Sequence, residues 1–115
     1  MRSWTVDQFE FDDSQSEESL EVSYAKRSAF PFPDVVAFVA SVVGSEAARN
    51  LPSATPFDER RGNGEIRKYL ERFTGLSLPS PCDWPMHVLT DDWSNFHVIL
   101  SGPDCYISYL WFTSA

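Results

Sequence analysis

The stretch MHVLTDDWSNFHVILSGPDCYISYLWFT, residues 86–113, decides how this chain folds. Residues Met86–Thr90, Asn95–Ser101 and Cys105–Thr113 are rich in β-branched and aromatic side chains. They are separated by Asp91-Asp92-Trp93-Ser94 and by Gly102-Pro103-Asp104, both turn compositions. Three strands in an antiparallel meander are therefore expected. In the last of them Tyr106, Ser108, Leu110 and Phe112 alternate with Cys105, Ile107, Tyr109 and Trp111. Both sets are largely apolar, the pattern of a central strand covered on its two faces.

Working back from the meander, Leu76 to Pro85 contains three prolines and is irregular. Before it, Ile66, Tyr69, Leu70 and Phe73 form one stripe at helical spacing, with Arg67, Lys68, Glu71 and Arg72 opposite. The spacing predicts a helix over Glu65–Thr74, with Asn63 as its cap and Gly75 as its terminator. A connection covers 52–62. A second helix is predicted over 34–49: Asp34 is the natural N-cap, and Val35, Phe38, Val39, Val42, Val43 and Ala47 share a face. A strand over 35–43 is the rival reading, because valines disfavour an isolated helix. Phe30-Pro31-Phe32-Pro33 bends the chain ahead of it. Trp4 and Val6, then Phe9 and Phe11, alternate with polar residues as a first strand; Leu20, Val22 and Tyr24 do so as a second. The all-polar run Asp12–Ser19 between them reads as an exposed loop.

The order ββ-αα-βββ sets the expectation of an α+β domain: one antiparallel sheet of about five strands with two helices packed on one face. One domain, 1–115, is expected, because half of 115 residues would bury too little surface. A content of 43% apolar and 15% aromatic residues excludes wholesale disorder. No apolar run approaches membrane-spanning length, and the first residues lack the apolar centre of a signal peptide. With only Cys82 and Cys105 for thiols, the chain reads as a reduced, cytoplasmic protein.

Charge is the informative feature. Of the net −8, residues 1–24 hold −6 with Arg2 as the sole base, residues 25–72 hold +2, and residues 73–115 hold −4 with no Lys or Arg. Such a balance argues against direct binding to nucleic acid or anionic lipid and suits a basic partner. If the acidic flanks converge in the fold, their fields add.

Catalytic and metal constellations are weak by comparison. Cys82, His87, His97 and Cys105 are the residue types of a thiol nucleophile or a zinc site. They lack an oxyanion-binding turn for the first and a close Cys pair for the second. The acidic run from Asp12 has Glu17 where a calcium loop needs glycine and Ser23 where it needs Glu. Gly62-Asn63-Gly64 is too short for a phosphate loop, and the arginines around it are interleaved with acids. No enzyme, metal or cofactor is expected.

The aromatic-plus-acid pairs Asp83-Trp84 and Asp91-Asp92-Trp93 differ, since tryptophan flanked by carboxylates suits an interface with a basic protein. The sequence reading is a small non-catalytic inhibitor or immunity-type antidote. It would fill the cationic cleft of a partner such as a nuclease-type toxin, by analogy of size and acidity alone. Its candidate contacts are Asp83, Trp84, Asp91, Asp92 and Trp93, with Asp12, Asp13, Glu17 and Glu18 as steering charges. The alternative is a subunit or small-ligand domain of a larger assembly or homodimer, docking through an aromatic sheet face.

Overall fold

The computed structural model describes residues 1–7, 18–28, 34–61 and 65–113. The chain is α+β. Its strands are β1 (Arg2–Val6), β2 (Glu18–Lys26), β3 (Thr55–Pro56), β4 (Pro85–Asp91), β5 (Asn95–Ser101) and β6 (Cys105–Thr113). Its helices are α1 (Val35–Val42), α2 (Ser45–Arg49) and α3 (Ile66–Thr74). Among the described residues, the six strands form one antiparallel sheet in the order β1-β2-β6-β5-β4-β3.

The expected meander is present as β4-β5-β6, and β6 is central. Its alternation divides the molecule. Cys105, Ile107, Tyr109 and Trp111 enter one core with Leu20, Val22, Val98 and Leu100, closed by Ile66, Tyr69 and Leu70 of α3. Tyr106 enters a second core on the other face with Ala25 and Ile99, closed by Phe38 and Val39 of α1 and Ala48 of α2. The helices therefore lie on opposite faces of the sheet, and the expectation of two helices on one face is corrected. A helix stripe records that a side is buried but not which face of the sheet buries it. The same arrangement buries Tyr106, Tyr109 and Trp111, the aromatics that a docking sheet face would present.

The other differences have local causes. Asp34 caps α1 as expected, its Oδ1 accepting from the Ala37 amide at 2.8 Å. The predicted helix over 34–49 divides at Gly44, whose φ of 142° no side chain-bearing residue adopts readily. Gly75 ends α3 in the left-handed conformation, as expected. That helix starts behind Glu65 without a side-chain cap, and the predicted cap Asn63 lies outside the described residues. Two residues of the 52–62 connection pair with β4 as β3, giving a sixth strand that Pro56 confines to the sheet edge. Glu18 and Ser19, read as loop, are the first residues of β2. Phe9 and Phe11, placed in the first strand, and the bend at 30–33 lie outside the described residues.

Arg67 on α3 ties the proline-rich segment to the helix. Its Nη1 donates to the Leu78 carbonyl at 2.8 Å and its Nη2 to that of Pro79 at 2.9 Å, while its guanidinium also meets Glu59. Among the described residues no helix is long and apolar enough to cross a membrane.

Candidate functional site

Antiparallel pairing collects several acidic residues at one end of the sheet. Asp92 N–H donates to the Asn95 carbonyl, closing the β4–β5 turn. The Thr113 amide donates to the Ser94 carbonyl at 2.9 Å, which sets this turn beside the end of β6. Thr113 is in turn paired with Glu18 at the start of β2, and Val6, just before Asp7, is paired with Leu20. Asp7, Glu18, Asp91 and Asp92 thus share an end with Trp93. Asp12, Asp13 and Glu17 lie outside the described residues.

The turn is held by Asp92. Its Oδ1 accepts from the Ser94 amide at 2.9 Å, the Ser94 hydroxyl at 3.0 Å and the Asn95 amide at 2.8 Å. Those bonds, the Ser94 amide first, hold the carboxyl below its ordinary pKa. The group is consequently ionised and fixed in direction. Trp93, at the tip, is 74% exposed, the most exposed large apolar side chain among the described residues. Asp91 is neutralised in part: its Oδ2 lies 3.0 Å from Arg61 Nε. A surface pair of this kind contributes little to stability but reduces the outward field.

Two of the expected contacts have other partners. Glu18 is half-buried, and its Oε1 accepts from Tyr69 Oη at 3.2 Å and Trp111 Nε1 at 2.9 Å. It joins α3 to β6, so it is not a free steering charge. Asp83 and Trp84 precede β4 at the opposite end of the sheet from Trp93. Asp83 is exposed, while the Trp84 indole folds onto the first core and roofs Gly102. A Cβ at Gly102 would stand 2.9 Å from three atoms of that ring. Gly102→Ala should therefore destabilise the fold by about 1–3 kcal/mol. The same change in a Trp84→Leu background should cost much less. Equal costs in the two backgrounds, from urea denaturation, would show that the indole does not rest on this glycine.

The thiols and imidazoles stay apart. His87 and His97 alternate with core residues of the first face and so point to the second, whereas Cys105 is in the first core and Cys82 packs against it. His87 Nδ1 lies 2.6 Å from the Pro52 carbonyl oxygen, and His97 Nε2 lies 3.0 Å from Ser108 Oγ. Burial pushes both thiols up, away from the thiolate. Among the described residues no three metal-ligating side chains come together. The His97–Ser108 pair and the Arg61–Asp91 pair were both missed in the sequence. The second joins positions 30 residues apart with no local signal.

No protein-family model, curated protein or solved structure matches this chain.

Proposed function

We propose that this domain is a small non-catalytic binding protein of the inhibitor or immunity type, docking a basic protein surface through the turn that carries Trp93. The observation behind this reading is the exposed indole on a turn braced by an ionised carboxylate. Exposing a tryptophan to water forfeits the transfer of a large apolar surface, which a contact with a partner would recover. Tryptophan is also the side chain most enriched at interface hot spots, and its face attracts Arg and Lys. Asp92 and the shared end of the sheet add negative potential, which speeds capture of a cationic partner. A cationic phosphate-binding cleft, as in a nuclease-type toxin, has the complementary charge.

The test is affinity capture from the source cell at low and high salt, followed by binding kinetics on the retained protein. A basic partner released by salt is expected. Trp93→Ala should weaken it by about 30-fold or more, corresponding to about 2 kcal/mol, with stability changed by less than about 0.5 kcal/mol. Asp92→Asn should slow association and flatten its salt dependence. An affinity unchanged by Trp93→Ala would remove the turn from the interface.

A further inference from the structure

Among the described residues, α1 and α2 leave part of the second face of the sheet uncovered. Between the last turn of α1 and the strands lies a cleft of about 380 Å³, lined by Glu21, Ser23, Val42, Val43, His97, Ser108 and Leu110. Its floor is polar in an otherwise packed central region. Ser108, in the middle of β6 and 4% exposed, is bonded to His97 across to β5. Ser108 is paired on its other side with Ser23 of β2, whose hydroxyl lies 3.4 Å from that of Ser3. A buried pair of this kind lowers stability relative to an apolar one, so packing alone does not call for it.

Among the described residues the electrical character of the cleft has one sign. Of these residues Glu21 is the one charged residue in its lining, and it is exposed. The wall formed by Val42 and Val43 is the C-terminal end of α1, where the helix dipole is negative and the last turn contains no basic residue. Burial depresses the His97 pKa, so near neutral pH the imidazole is uncharged and adds no repulsion to a cation. Apolar surface comes from Val42, Val43 and Leu110. The volume is within the range of small-molecule sites, which combine apolar walls with a few convergent polar groups.

We infer that this cleft is a binding site for a small organic cation, a primary ammonium carried on an apolar body. The ammonium would lie between Glu21 and the Ser23 and Ser108 hydroxyls, with its apolar part against Val42, Val43 and Leu110. The site is distinct from the Trp93 turn, and neither reading depends on the other.

The experiment is a titration of the isotope-labelled protein with 2-phenylethylammonium, followed by NMR, with 3-phenylpropionate as the anion of similar shape. The cation should shift the resonances of Ser23, His97, Ser108 and Leu110 saturably, with a dissociation constant of about 1 mM or below. The anion should not. Glu21→Gln, at an exposed position that leaves the fold intact, should weaken the cation by at least about fivefold, a loss in the range of a single charge-assisted contact. The inference fails if the cation gives no saturable shift at these residues, if the anion binds equally well, or if Glu21→Gln has no effect.

Discussion

Raising the pH from about 10 to 12 should remove about 3 kcal/mol of stability, a large fraction of the total for a domain of this size. The cause is two buried phenols. Tyr69 donates to the Glu18 carboxylate, and burial first, then that carboxylate, pushes its pKa up to about 12. Tyr109 lies edge-on to Phe96 with ring centroids 6.3 Å apart, and burial pushes its phenol up as well. In the unfolded chain both titrate near 10. Between about pH 10 and 12 the unfolded chain has released protons that the native state retains, so stability falls as pH rises. Tyr109, the more deeply buried, contributes up to about 1.4 kcal/mol per pH unit, and Tyr69 less because solvent screens it. Below about pH 9 neither contributes appreciable slope. Urea midpoints measured across this range test the prediction directly. Tyr69→Phe lowers stability at neutral pH by removing the bond to Glu18, but it should make the alkaline slope measurably shallower. A slope unchanged by that substitution would mean that the Tyr69–Glu18 contact is not made in solution.

This contact also marks the limit of what sequence reading reaches. The meander, the stripe of α3 with Gly75 behind it, and the cap Asp34 are all set by neighbours within a few residues, and each was legible. Glu18 was not, because it stands in a polar run that favours a loop, and its two donors lie 51 and 93 residues away. The helix break at Gly44 was readable only in part. A lone glycine inside a helical pattern is tolerated at a cost of about 1 kcal/mol, so nothing local distinguishes a break from a weak position. The two tryptophans make the point for the candidate site. Asp83-Trp84 and Asp92-Trp93 are the same dipeptide in comparable non-helical settings. Trp84 folds down because Gly102, far along the chain, leaves room for its ring; Trp93 stays out because Asp92 ties the turn beneath it. Asp91 likewise loses part of its field to Arg61, a partner that the segment charges did not identify.

Phe38→Ala should cost about 3–5 kcal/mol and should detach one side of the molecule before the other. Phe38 is fully buried and is the largest side chain that the helices contribute to the second core. Its ring stacks on Tyr106 at 5.5 Å between centroids. The helix that carries it has little stability of its own. Val35, Val36, Val39 and Val42 restrict side-chain freedom there, and eight residues is too short for a helix to persist in water. Docking on the sheet is therefore what keeps α1 folded, and α2 follows because it begins two residues beyond α1 and packs through Ala48. The first core, with α3 and the larger set of buried side chains, does not contain Phe38. The truncation should consequently bring amide exchange in α1 and α2 close to unfolded rates while β5 and β6 remain protected. Leu70→Ala in the first core, at about 2–5 kcal/mol, should instead lower the protection of the whole sheet. If α1 keeps the protection of β6 after Phe38→Ala, the two faces are not separable, and the sheet opens with α1, α2 and α3 as a single unit.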